Sequence, residues 1–179
     1  MSFLLTVANA PAATLTVTKT ADTDDGVCSA DCSLREAIDV AADGDTINFS
    51  SLFNTPQTIY AGGSFEIFDD LDIVGTGADL LTINGGIASD VFNTSGAVTL
   101  SGMTITGADS TGIVNNGDLT IDGCVITENT GATSGGVQNE GTLTINNSTI
   151  SENTSNLLSG GIKNGGDLTI TNTLFQTIR

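Results

Sequence analysis

Val98-Thr99-Leu100, Leu119-Thr120-Ile121, Leu143-Thr144-Ile145 and Leu168-Thr169-Ile170 are one strand written four times. They end at residues 100, 121, 145 and 170, at intervals of 21, 24 and 25. A short apolar-polar-apolar strand that returns every twenty-odd residues is the signature of a solenoid. The register extends on both sides of the strand. Gly96, Gly117, Gly141 and Gly166 align, as do Phe92, Ile113, Val137 and Ile162. Ile105, Ile126, Ile150 and Phe175 align further on, with Met103, Cys124, Ser148 and Thr173 beside them. Apolar columns that survive insertions must face a shared interior, and the Thr between two such positions must face out. The glycines are expected at corners needing unusual backbone angles. Each coil then holds about three short strands, paired with the coils above and below at about 4.8 Å. The fold class is all-β, a parallel β-helix. A leucine-rich repeat would need L-x-x-L-x-L and a helix in each unit, and neither is present.

Asn115, Asn139 and Asn164 form a further column, with Thr94 above them. Stacked Asn side chains hydrogen-bond along a ladder of in-register strands. This column is expected to be a structural ladder at a bend.

Composition narrows the function. Asp and Glu number 21 against 4 Lys and Arg, a formal net charge of −17. Nucleic acid is excluded as a partner because binding it needs a basic footprint, and anionic membrane surfaces are disfavoured for the same reason. Divalent cations such as Ca²⁺ are the expected counter-ions. No stretch is long enough to insert into a membrane as a helix.

Residues 1–13 read either as the remnant of a signal peptide, with an A-x-A pattern near Ala8 to Ala12, or as a pairing segment. Thr14 to Thr18 alternate as a strand. Residues 14–70 are read as an N-terminal cap with an irregular first coil, and 71–179 as regular coils of a single domain. A helix is predicted over 33–43. Ser33 and Glu36 make a capping box, Leu34, Ala37, Ile38 and Ala41 share one face, and Gly44 stops it. Such a helix would close the raw apolar end of the solenoid.

Cys32-Ser33-Leu34-Arg35-Glu36-Ala37-Ile38 reads CSLREAI. It follows Asp22, Asp24, Asp25 and Cys28 and precedes Asp45-Thr46-Ile47-Asn48-Phe49. Together with G-G-(I/V)-x-N and S-x-N-T segments such as Gly135 to Asn139 and Ser151 to Thr154, this resembles the CSLREA-domain proteins. These are bacterial exported right-handed β-helices related to the pectin-lyase-like superfamily. The resemblance covers about residues 14–179. It implies a secreted or cell-surface protein without an established catalytic activity. In an exported protein Cys28 and Cys32 are expected to form a disulfide. A metal site there would lack other ligands, since the chain has no His. Arg35 is expected to pair with a carboxylate of the cap, and Cys124 to be a buried thiol.

Asp22, Asp24 and Asp25, in D-x-D-D-G, are the candidate Ca²⁺ ligands, because hard cations favour oxygen clusters. Asp69, Asp70 and Asp72 are a second acidic group. Glu128 and Glu152 recur in adjacent coils, each followed by Asn-Thr. Carboxylate pairs serve glycosidases, so this pair is the candidate catalytic site. Against it, Trp is 0 and Tyr 1, which leaves no aromatic sugar platform. The outward file Thr99, Thr120, Thr144 and Thr169 suggests an ice-binding array, but Asp118, Asp122 and Asp167 interrupt its neighbours.

Two functions follow. The first is a non-enzymatic extracellular structural or adhesive module. It would self-associate end to end into filaments through an uncapped C-terminal coil, with residues 1–17 as the pairing strand. The second is a polysaccharide-binding or polysaccharide-cleaving protein using Glu128 and Glu152.

Overall fold

The structure is a computed structural model that describes residues 11–86 and 90–176. It is a parallel β-solenoid of about five turns with one short helix. Three faces run along it. Face A holds Thr14–Val17, Asp45–Phe49, Leu71–Val74, Ala97–Ser101, Asp118–Asp122, Thr142–Asn146 and Asp167–Thr171. Face B holds Gln57–Tyr60, Leu81–Asn84, Thr104–Thr106, Val125–Thr127, Thr149–Ser151 and Leu174–Gln176. Face C holds Phe65–Ile67, Asp90–Thr94, Thr111–Asn115, Val137–Asn139 and Ile162–Asn164. From residue 45 the chain visits A, B and C in turn, and the strands pair in parallel with the coils on either side.

The expected columns are the observed registers. Val98, Leu119, Leu143 and Leu168 stack on face A. Phe92, Ile113, Val137 and Ile162 stack on face C. Ile105, Ile126, Ile150 and Phe175 stack on face B. In the interior coils these aliphatic files are fully buried and form one continuous core. The regular register also reaches further toward the N-terminus than the sequence suggests. Ile59 stacks on Ile83 and Phe65 on Phe92, so the coil over 45–70 pairs as a full rung, while a 3-10 turn at Ser51–Asn54 between its first two strands keeps it irregular.

The corners divide into two physical types. At Gly96, Gly117, Gly141 and Gly166 the backbone φ is not positive, contrary to the expectation. These glycines are required by close approach. A methyl at Gly141 would overlap the Gly117 carbonyl oxygen, and one at Gly117 would overlap that of Gly96. The left-handed residues lie at other corners. Gly102, Gly123, Asn147 and Asn172 have φ of 60°, 61°, 49° and 48°, and Gly107, Glu128 and Glu152 have 73°, 55° and 54°.

The helix spans Leu34–Val40, shorter than predicted. Ser33 is its N-cap, and the capping box with Glu36 is complete. It ends early because Ala41 turns to extended backbone (ψ 156°), and the Asp45 carboxylate accepts the Ala42 N–H at 3.0 Å. Gly44, with φ 88°, lies beyond that turn. Leu34, Ala37 and Ile38 are buried against the first coil and close the N-terminal end of the core. Thr14–Val17 pairs with Asp45–Phe49 inside the same chain, so these four residues are not a free pairing strand. The expectations for residues 1–10 lie outside the described residues.

Candidate functional site

The acidic side chains of the cap are spent on holding it together. Arg35 lies on the helix and grips Asp22 with two bonds, Nε to Oδ1 at 3.0 Å and Nη2 to Oδ2 at 2.7 Å. The same guanidinium donates to the carbonyls of Gly63 and Ser64, and it lies 4.6 Å over the Phe65 ring. Asp22 Oδ2 also accepts the Gly62 N–H at 2.6 Å. A planar fork of donors suits this bidentate task, which an ammonium cannot perform. The arrangement ties the segment before the helix, the helix and the first coil to one point.

Glu36 is the second node. Its carboxylate is 1% exposed and accepts from the Ser33 N–H at 2.7 Å, Thr23 Oγ1 at 3.1 Å and the Asp25 N–H at 3.3 Å. Lys19 Nζ lies 3.2 Å away. The Ser33 backbone bond, followed by the bonds from Lys19 and Thr23 and the charge of Lys19, overrides burial and pulls the Glu36 pKa down to about 2. Burial depresses the Lys19 pKa, but the Glu36 and Asp31 carboxylates outweigh it and hold that ammonium above its usual range. Asp45 is the third node, with bonds from the Ala13 and Ala42 N–H groups that lower its pKa.

The candidate Ca²⁺ ligands are therefore divided. Asp22 belongs to Arg35. Asp24 and Asp25 accept the N–H groups of Gly26 and Val27 in local turns. Among the described residues no three His, Cys, Asp or Glu side chains converge as a metal-binding group. Of the second acidic group, Asp70 accepts the Ala97 N–H at 2.8 Å. Asp69 borders a groove under the helix with Asp39 and Glu66. Burial, with Asp24 next, raises the Asp39 pKa against the lowering pull of Arg35. Cys28 and Cys32 are joined in a disulfide just before the helix. Cys124 is a buried thiol whose pKa burial pushes up to about 11, so it is held in the unreactive protonated form.

The predicted Asn column is a continuous hydrogen-bonded ladder. Thr94 Oγ1 donates to Asn115 Oδ1 at 3.0 Å, Asn115 Nδ2 to Asn139 Oδ1 at 2.7 Å, and Asn139 Nδ2 to Asn164 Oδ1 at 2.6 Å. A second ladder was not anticipated. Asn129 and Asn153 are fully buried, and Asn129 Nδ2 donates to Asn153 Oδ1 at 3.0 Å. Asn129 Oδ1 accepts the Ala108 N–H above it at 3.0 Å. The Glu-Asn-Thr recurrence at 128–130 and 152–154 held that signal.

Glu128 and Glu152 occupy one corner of successive rungs, exposed and left-handed, immediately before that ladder. The described grooves lie elsewhere, beside Asp39 and beside Asp70. Lys163, the one basic residue of the regular coils before Arg179, is paired with Glu140 at 2.8 Å. Among the described residues, the corner thus offers two exposed carboxylates with no basic side chain paired to them.

No family model, curated protein or solved structure matches this chain.

Proposed function

We propose that this protein is a non-enzymatic, secreted or cell-surface structural module that joins other copies end to end. One observation carries the reading. The last described rung presents Leu168, Ile170, Leu174 and Phe175 at 36–52% exposure along the solenoid axis. Among the described residues, the strands of that rung pair on one side only. Apolar side chains beside unpaired backbone edges favour addition of another strand layer. The other end is covered by the helix, so the rung that meets a partner copy is the C-terminal one. Ca²⁺ enters as a general counter-ion to the −17 charge, easing the approach of two acidic rods.

The internal chemistry suits a passive role. Asp22, Glu36 and Asp45 are held in salt bridges and caps, and the buried amides are held in ladders. The alternative, a polysaccharide-binding or polysaccharide-cleaving face, rests on the alignment of Glu128 with Glu152 one rung apart.

Negative-stain microscopy of the purified chain, with and without Ca²⁺, tests the first reading. Rods of twice the single length are expected, and Ile170→Lys with Phe175→Lys should return them to single length. Filaments would mean that the N-terminal end engages as well. Single rods at high protein concentration, or doubled rods unaffected by the two lysines, would overturn the assignment. Loss of glycan binding on replacing Glu128 and Glu152 by Gln would favour the alternative.

A further inference from the structure

We propose that the outer surface of face B is a binding surface for the ordered oxygen lattice of ice. The register gives this face two outward files. Thr58, Thr82, Thr104, Val125, Thr149 and Leu174 follow one another in the first, and Tyr60, Asn84, Thr106, Thr127, Ser151 and Gln176 in the second. Neighbours in a file are about 4.8 Å apart, and the two files are separated by about 6.7 Å, twice the rise of a strand residue. Val125 matches Thr in shape. Over the three coils from Thr104 to Ser151 the result is a two-dimensional grid of methyl and hydroxyl groups on a sheet, bordered by Asn84 on one side and by Leu174 and Gln176 on the other.

The grid carries no charge. The chain has 25 charged residues, yet none lies at an outward position of face B between Thr58 and Gln176. Charges begin one residue past the second file, at Glu128 and Glu152. On face A the corresponding outward positions carry Asp72, Asp118, Asp122 and Asp167. The file of Thr99, Thr120, Thr144 and Thr169, which first suggested ice, is therefore flanked by carboxylates, and the neutral grid is on the adjacent face.

The occupant follows from that chemistry. A carboxylate or ammonium imposes its own hydration shell and attracts counter-ions. A neutral grid of hydroxyl and methyl groups can hold water in a regular arrangement that continues into a crystal. The side chains are also set before binding. β-Branched residues are stiff at χ1, Ser151 Oγ donates to Thr127 Oγ1 at 3.1 Å, and Thr104 Oγ1 donates to the Ala78 carbonyl at 2.8 Å. A rigid surface loses little conformational freedom when a lattice forms on it.

The full chain is tested by ice-recrystallisation inhibition and by microscopy of crystals grown in its presence. Faceted crystals and inhibited grain growth are expected. Thr106→Tyr with Thr127→Tyr should weaken inhibition by on the order of tenfold or more. Thr120→Tyr on face A should leave it unchanged, and circular dichroism should show the same fold in all three proteins. Absence of faceting and inhibition by the wild-type chain would overturn the proposal. So would equal loss in the face A variant. Retention on microcrystalline cellulose, removed by the face B changes but without any effect on ice, would assign the grid to a crystalline polysaccharide instead.

Discussion

The cap and the coils of this molecule solve the same problem by opposite means. Both must satisfy buried polar groups and cover apolar surface. The coils repeat one small set of contacts, in which each Asn amide bonds to the Asn above or below. The cap uses each contact once: a bidentate salt bridge, a capping box, a carboxylate with four donors and a disulfide. Translation along the axis supplies every coil with a partner that has the same shape. The end of the solenoid has no such partner, so its closure is built from charged groups whose strength comes from complementarity. A lesion in the coils should therefore spread along the axis, whereas a lesion in the cap should stay local until the first rung opens.

The largest effect is expected at Arg35→Met, which leaves Asp22, only 4% exposed, without its cation. Loss of one partner of such a pair costs about 4 kcal/mol. Hydrogen exchange should show the added opening in the cap and first coil, with protection retained around Asn139. Uniform loss along the chain would erase the contrast between the two regions. Gly141→Ala comes next. Its methyl must displace the Gly117 backbone, at a cost of about 3 kcal/mol in urea unfolding. The unfolding slope should change as well, because the stack is interrupted in the middle. A cost below about 1 kcal/mol would show that the corner adapts and is less rigid than its register implies.

Acid provides a milder probe of the cap. The folded pKa of Glu36 is about 2 against an ordinary 4.5. Its stabilising contribution is complete above pH 4.5 and is lost as pH falls toward and below 2. Glu36→Gln should flatten that part of the stability–pH curve, while a change in the coils such as Gly141→Ala should lower the curve without altering its shape. An unchanged slope in Glu36→Gln would remove the carboxylate from the account. The smallest effect is expected at Gly123→Asn. Gly123 is left-handed with open space around it, and Asn147 and Asn172 occupy the same corner in later coils. Its unfolding midpoint should move by no more than about 0.5 kcal/mol equivalent.

The coils were legible in the sequence because their physics is periodic. Columns at 92, 113, 137 and 162, and at 115, 139 and 164, required only alignment of the chain with itself. Ser33 and Glu36 were legible because a capping box is local. Other features were not, for four separate reasons. A cap carboxylate was expected opposite Arg35, but its identity as Asp22, thirteen residues away, depends on a fold that no spacing rule encodes. The glycine columns had one appearance and two causes, close backbone approach at Gly117 and Gly141 but positive φ at Gly102 and Gly123. Asn129 and Asn153 were hidden beside Glu128 and Glu152, whose charges drew the chemical reading to the exposed residue rather than the buried one. The neutral surface of face B needed the register of six strands before its missing charges formed a pattern.

The corner between faces C and A spans two residues in four successive coils, at 95–96, 116–117, 140–141 and 165–166. The corner between faces B and C grows from 107–110 to 128–136 and then to 152–161. The first corner acts as a gauge that sets the stacking distance, and the second as a bay where chain length is free. Leu157 and Leu158 in that bay are carried outward while Asn129, Ser134 and Asn153 pack inside, and the rungs beneath keep their spacing. Such a scaffold can acquire new loops there one coil at a time without refitting its core.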